Sequence, residues 1–344
     1  MDHSTQVDSG RQVFVGLDYA TAFVQVCALA PSGRVLANRR CENHWLALDA
    51  FVRQFGSVIR ASIESCTGAA NLADELIHRA GWSIDLAHPG YVHRMKQSPD
   101  KTDFSDARML ADLVRVGYLP RVWLAPESIR DLRRLVRHRQ DLVDRRRVLK
   151  LKVAGWLRDL RIKEPKGTRW SIAWRNWLQT VELPPETRWV IDDACDEFDT
   201  IVRRMQRVES HMDDVTRDDP MVSKLRTLRG LGLITACVIR AEIGDATRFR
   251  TGKQLANYCA LSPRNVSSGL RQADAGLIHA GNRYLRATLM EAAHRLRRFD
   301  PRWIRFSADM EARGKKRCVV VAAIANRWIR GLYHELKLVS HIAA

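Results

Sequence analysis

Val13-Phe14-Val15-Gly16-Leu17 is an unbroken apolar run that closes on a carboxylate, Asp18. A run this short and this rich in valine reads as a buried strand. Val58-Ile59-Arg60-Ala61-Ser62-Ile63 is a second run of the same kind, and it closes on Glu64. Further on, Lys101-Thr102-Asp103-Phe104-Ser105-Asp106-Ala107 brings two more acids ahead of a helical pattern. Asp103 and Asp106 stand at i, i+3, so they share one helix face. Singly, each acid has an ordinary explanation as a strand end or as a helix N-terminal acid favoured by the dipole. Four such acids in an otherwise strongly basic chain point to a site for hard divalent cations. Mg²⁺ takes oxygen ligands, and phosphoryl transfer uses it to hold and neutralise the reacting phosphate. Asp85, in a further strand, is a competing candidate.

The surroundings of these acids predict an α/β domain. Three strands over 13–17, 22–29 and 34–40 form a meander, with Pro31-Ser32-Gly33 turning the second into the third. A helix over 45–55 follows from the spacing of Leu46, Leu48, Phe51 and Val52. A strand ending at Glu64, a helix over 69–80, a strand over 83–87 and a helix over 103–116 complete the order β-β-β-α-β-α-β-α. That is the order of a ribonuclease H-like domain, a mixed sheet with helices packed on it.

After Pro126 the period changes. Apolar residues from Ile129 to Leu160 mark a helix of about nine turns, whose polar positions are mostly arginine. A second helix is read over 185–215. The stretch 161–184, rich in tryptophan and chain breakers, reads as irregular. The two helices together read as an antiparallel coiled coil, a spacer or a dimerisation element. From 220 to the end the expectation is short helices around a loop at 262–276. The domains so drawn are 11–125, 126–219 and 220–344.

Composition fixes the class of partner. Fifty-seven Lys and Arg against 39 Asp and Glu leave a net charge of +18, which calls for a polyanion, with nucleic acid ahead of a membrane surface. At 344 residues and 46% hydrophobic content the chain can build more than one core. Seven cysteines stand singly, with no Cys-x-x-Cys pair, which argues against a zinc site or a disulfide framework and for a reducing compartment. Residues 1–12 are polar, without a signal-peptide core, and the longest apolar stretch, 318–325, is too short to span a bilayer. A cytoplasmic protein with no membrane association is expected.

Two further motifs carry chemistry. Leu225 to Ala236 has the form of a helix-hairpin-helix, with Gly230-Leu231-Gly232 as the hairpin. Glycines let backbone N–H groups approach a phosphate, and the following helix N-terminus favours its charge. A tight helix–helix turn would also use glycine. The second motif joins Leu261-Ser262-Pro263-Arg264-Asn265-Val266-Ser267-Ser268-Gly269 to Gly281-Asn282-Arg283. A serine pair before glycine is an ordinary turn composition. With no histidine base beside it, a nucleophilic role would rest on activation by a metal and by arginines. Arg264, Arg283, Lys315 and Lys316, with Gly230 and Gly232, are the expected nucleic-acid contacts.

In this order the three motifs resemble the DEDD transposases of bacterial insertion sequences, understood as bridge-RNA-guided recombinases. The likeness extends over nearly the whole chain, down to Gly314-Lys315-Lys316 before the last helix. It implies a RuvC-type N-terminal domain whose tetrad is Asp18, Glu64, Asp103 and Asp106, holding Mg²⁺, two ions per composite site. It implies a coiled coil and a C-terminal transposase domain with a catalytic serine that links covalently to a DNA phosphate. Ser268, directly before Gly269, fits that role, with Ser267 as the alternative. The partners implied are donor and target DNA, a noncoding bridge RNA that supplies sequence choice by pairing, and further copies of the chain, a dimer assembling to a tetramer. Two other readings stay open: a metal-dependent junction nuclease that hydrolyses with water, and a non-catalytic nucleic-acid-binding protein.

Overall fold

The computed structural model describes residues 11–96, 102–266 and 274–342. They belong to two compact units, Met1–Ala125 and Pro126–Ala344.

The first unit is built on one six-stranded sheet. Its elements are β1 (Gln12–Tyr19), β2 (Phe23–Leu29), β3 (Val35–Glu42), α1 (Trp45–Arg53), β4 (Ser57–Glu64), α2 (Ala69–Ala80), β5 (Ile84–Ala87), α3 (Pro89–Met95), α4 (Asp103–Arg115) and β6 (Arg121–Val122). The strand order is β3-β2-β1-β4-β5-β6. The meander β1–β2–β3 is antiparallel, β4 lies parallel to β1, β5 parallel to β4, and β6 antiparallel to β5. This mixed sheet with helices is of the ribonuclease H-like kind. Val13, Val15 and Leu17 are fully buried with Leu48, Val52 and Leu76 from α1 and α2. The alternate positions face α4, because successive strand side chains point to opposite sides.

Gly16 shows how tightly α4 sits on that face. A Cβ there would lie 2.0 Å from the Ala107 carbonyl oxygen and 2.4 Å from the Ala111 nitrogen. No larger residue fits without pushing the helix off the sheet. Ser62, opposite Gly16 in β4, donates its hydroxyl to the Leu110 carbonyl at 2.8 Å.

Two elements of this unit are absent from the sequence reading. The helix α3 spans only seven residues, and β6 only two. Neither length leaves room for a hydrophobic period, and β6 exists through its pairing with β5.

The second unit begins with α5 (Glu127–Asp159), α6 (Ile172–Thr180) and α7 (Pro185–Val215). The helices α5 and α7 run antiparallel. Arg139 pairs with Glu209 at 2.7 Å, whereas Lys150, further along α5, lies 5.4 Å from the ring of Phe198, earlier in α7. Buried Leu142, Leu149, Val153 and Leu157 face Ile191, Phe198, Ile201 and Met205.

The stretch 161–184 is not wholly irregular, because it holds α6. Ser171 caps it by accepting from the Trp174 amide at 3.2 Å, and Trp174 and Leu178 bury one turn apart. Arg175 forms two hydrogen bonds to Asp199, at 2.8 and 2.6 Å, and Trp170 stacks on Phe198. One buried pair between breakers is too little to register as a period, so tertiary packing makes this helix.

The chain continues through α8 (Pro220–Arg226), α9 (Leu233–Ile243), a 3₁₀ turn at Ala246–Arg248, α10 (Gly252–Tyr258), β7 (Pro263–Asn265), β8 (Asp274–Leu277), α11 (Arg283–Phe299), α12 (Pro301–Ala312) and α13 (Arg317–Ile342). Two expectations change here. The helices are not all short, since α11 has 17 residues and α13 has 26. The stretch 262–276 is not simply a loop, since β7 and β8 pair as an antiparallel ribbon. Leu132, Val136 and Met212 from the base of the long helices bury with Leu225, Ile239, Leu289, Ile324 and Ile329 in one core. Among the described residues, no helix is long and apolar enough to cross a membrane.

Candidate active site

The register of the first sheet gathers the acids. Leu17 pairs with Ile63 across the parallel β1 and β4, so Asp18 and Glu64 are the next residues on neighbouring strands. They lie two positions beyond Gly16 and Ser62, hence on the same face as α4. Ala107 covers Gly16 and Leu110 meets Ser62. Asp103 and Asp106, in the first turn of α4, therefore come to the carboxyl ends of β1 and β4. Thr102 and Ser105 form a reciprocal capping box that fixes this turn, the Thr102 hydroxyl accepting from the Ser105 amide at 3.2 Å.

The electrostatics report the same convergence. Asp18 is pushed up from 3.8 to about 6, first by burial and then by the charges of Asp106, Asp103 and Glu64. Lys96 acts in the opposite direction. All three other acids of the set act on Asp18, and all raise it. Like charges gathered in a half-buried place penalise ionisation in this way.

Two cations lie on these acids. Lys96 Nζ reaches both oxygens of Asp106, at 2.6 and 2.7 Å, with little of either side chain exposed. Arg40 Nη2 donates to Asp103 at 3.0 Å. Arg40 belongs to a row across the sheet, since Asp18 pairs with Gln25 and Gln25 with Arg40. From the same strand, Asn38 donates to the Phe104 carbonyl at 2.9 Å and receives a bond from Gln25 at 2.7 Å. Sequence reasoning missed Lys96 and Arg40, because only tertiary packing, and for Arg40 the sheet register, brings them to the acids. As placed, no three His, Cys, Asp or Glu side chains among the described residues stand close enough to hold one metal ion. The donor set is nevertheless all carboxylate and carries uncompensated charge, the chemistry that suits a hard cation. Asp85 lies outside this set: it pairs with Arg60 at 2.6 Å and Arg121 at 3.3 Å.

In the second unit, Gly230 takes the left-handed backbone (φ 80°), and Gly232 starts α9 with no side-chain cap. Arg295 donates to the Gly230 carbonyl at 3.3 Å. Arg264, Lys315 and Lys316 are exposed, with no hydrogen-bonded or ionic side-chain partner among the described residues. The Arg283 guanidinium lies 5.4 Å from the Tyr284 ring. Ser267 and Ser268 fall outside the described residues.

What the structure does describe is the root of the ribbon that precedes and follows them. Gly281, at φ +117°, brings its backbone so close to Ala260 and Tyr258 that a Cβ would meet the Tyr258 oxygen at 2.9 Å. The Asn282 amide donates to that same oxygen at 3.0 Å, and the Ile278 amide to the Ser262 carbonyl at 3.0 Å. Asn282 also caps α11 and donates its Nδ2 to Glu242 at 2.6 Å. Glu242 is 2% exposed and takes two bonds from Arg137 of α5, at 3.1 and 3.2 Å. A buried acid tied to an arginine on a distant helix leaves no periodic trace, which is why sequence reasoning passed over it.

Glu242→Ala should therefore strip Arg137 and Asn282 of a buried partner together. Breaking such a pair on one side costs roughly 3 kcal/mol, so the melting temperature should fall by about 10 °C. Glu242→Gln, which keeps an acceptor, should lose much less. Equal melting of wild type and Glu242→Ala would remove this network from the account.

Comparison with known proteins matches two separate stretches of the chain. A model of the DEDD transposases of the IS110 type matches residues 15–162, and one described as the transposase IS116/IS110/IS902 family matches residues 222–308. The chain is 30% identical over 290 residues to the protein y4qE of Sinorhizobium fredii, named as a transposase, covering 82% of this chain and 71% of that one. It is 25% identical to the transposase for insertion sequence element IS1111A of Coxiella burnetii, over 91% and 86% of the two chains. It is 24% identical to the pilin gene-inverting protein of Moraxella bovis, over 71% and 69%.

Proposed function

The chain belongs to the IS110-type DEDD transposases of insertion sequences, enzymes that cut and rejoin DNA, and from that premise we propose how it does so. Asp18, Glu64, Asp103 and Asp106 are the ligands for divalent cations, magnesium in the first instance and two per site. Ser268 supplies the attacking hydroxyl, with Ser267 as the alternative. The observation that supports the metal assignment is the register that sets Asp18 and Glu64 at the ends of neighbouring strands, where burial first and then the charges of Asp106, Asp103 and Glu64 raise Asp18 to about 6. Lys96 and Arg40 serve as counter-charges to Asp106 and Asp103, and a divalent cation would compete with them for these carboxylates. When bound, the cations polarise the scissile phosphate and neutralise the charge that develops on it.

The serine changes the outcome from hydrolysis to transfer. Its Oγ–P bond forms as one P–O bond of the strand breaks, freeing a hydroxyl end. Attack by a hydroxyl of another strand then releases the serine and rejoins the DNA, with no phosphodiester lost to water. The capless start of α9 at Gly232, behind the turn at Gly230, offers backbone amides to a phosphate in the manner of a helix-hairpin-helix. Arg264, Arg283, Lys315 and Lys316 add affinity that carries no sequence information. Sequence choice is assigned, on the family resemblance, to a structured noncoding bridge RNA that pairs with donor and target DNA. The α5/α7 pair is assigned as a coiled coil joining copies of the chain into a dimer and then a tetramer, with 11–125, 126–219 and 220–344 as the working divisions.

The test is to incubate the protein with plasmid carrying the element's ends and its transcribed flank, then denature. A protein–DNA adduct that survives denaturation and requires a divalent cation is expected. Nicked DNA with free ends and no adduct would make the enzyme a hydrolase and discard the serine.

A further inference from the structure

Beside the ribbon root lies a groove of about 920 Å³, bounded by α10, the ribbon, α11 and α13. Its size is near the top of the range of ligand pockets, roughly 300–1,000 Å³. Ala256, Leu277, Met290 and Val319 give it an apolar floor, and Val319 is 46% exposed there. Lys253, Arg327 and Arg330 stand exposed along its edge. None of the three has an acidic partner among the described residues; Arg327 stacks on Phe306 at 4.7 Å. The groove is held open by close backbone packing, since a Cβ on Gly252 of α10 would lie 2.7 Å from the Arg330 carbonyl oxygen of α13. Asn326 ties α13 to the ribbon root through the Leu261 carbonyl at 3.0 Å.

An apolar floor with an unpaired cationic edge fits an occupant whose faces are apolar and whose backbone is anionic. Those are the properties of nucleic acid with its bases unpaired, because a duplex hides its base faces and presents only phosphate and groove edges. Position selects DNA. Ser268 is five residues from Pro263 on the groove wall, a span of at most about 18 Å for a fully extended chain. The strand whose phosphate the serine attacks must pass within that distance.

We propose that this groove holds unpaired nucleotides of the DNA strand that is cut, with Lys253, Arg327 and Arg330 on its phosphates. The proposal rests on the assignment of the nucleophile to Ser268 or Ser267. It adds a second hold on the strand, which keeps the cleaved end beside the protein before rejoining. Nothing in the hairpin at Gly230 or in Arg264 supplies the apolar half of that hold.

Two exposed cysteines make the test possible without chemistry. Cys318 lines the groove, and Cys66 lies two residues from Glu64. Alkylation of each is followed by mass spectrometry, with and without a single-stranded-gap DNA carrying the element's end, in chelator so that no strand is cut. DNA should slow alkylation of both cysteines at least fivefold. Lys253→Glu with Arg330→Glu should restore Cys318 reactivity, leave Cys66 protected, and lower the salt slope of binding by between about one and two. Both residues are exposed, and an unchanged melting curve confirms that the variant is folded. Protection of Cys66 with free Cys318 overturns the groove proposal alone. Free Cys66 instead counts against the acid site itself. Protection of Cys318 by RNA and not by DNA, or by raising the protein concentration with no nucleic acid, also overturns it.

Discussion

Replacing Asp18 with asparagine is expected to abolish strand cleavage while making the metal-free protein more stable. The loss follows from position. Asp18 stands on the central strand, where burial first and then the other three acids raise its proton affinity. Phosphate polarisation by a divalent cation supplies several kcal/mol, and each 1.4 kcal/mol is tenfold in rate. A fall of about 10³-fold or more is therefore expected, with DNA binding at fixed salt nearly unchanged.

The gain follows from the sign of the shift. A carboxyl raised from 3.8 to about 6 favours the fold in its neutral form. That stability is complete below the ordinary value and is lost as pH rises through about 6. That rise would correspond to roughly 3 kcal/mol, but the group is half exposed, and solvent screening brings this to about 1–2 kcal/mol. At pH 7.5 Asp18→Asn should thus melt several degrees above the wild type without metal, and should lose the wild type's decline in melting temperature between pH 4 and 7. Added Mg²⁺ should raise the wild-type melting temperature and leave the variant's unmoved. A variant that cleaves normally removes Asp18 from the site. A variant that melts lower than the wild type refutes the charge-crowding account.

Alanine at Ser268 is expected to eliminate the denaturation-resistant adduct and lower strand joining by roughly 10⁴-fold, the scale on which a lost nucleophile is felt. Metal-induced stabilisation should survive, since the acids are untouched. Ser267→Ala is the partner experiment. If Ser267→Ala loses the adduct and Ser268→Ala keeps it, the two serines exchange roles. An adduct in the double variant means that another side chain attacks.

The sheet was readable because its strands obey their own period. The ends of α2 and β4 are where local pattern put them, with Gly81 in the left-handed conformation stopping the helix. The same pattern ended β1 two residues early, because the apolar run stops at Leu17 while pairing with β2 continues to Tyr19. Asp85 illustrates the opposite failure. A strand acid looks identical in sequence whether it faces a cavity or an arginine, and only the register with Arg60 and Arg121 separates the cases. Lys96, Arg40 and Glu242 were unreadable for a related reason: each derives its role from a partner 10, 63 or 105 positions away. The ribbon β7–β8 is too short to alternate visibly, and its paired residues include a proline and an asparagine.

The bond set at Glu242 gives the long helix α5 a mechanical role. Arg137 grips the carboxylate that also holds Asn282, so the foot of α5 and the downstream leg of the ribbon are clamped at one fulcrum. The thirty-three-residue helix is in that sense a lever, pivoted where Arg137 and Asn282 meet on Glu242.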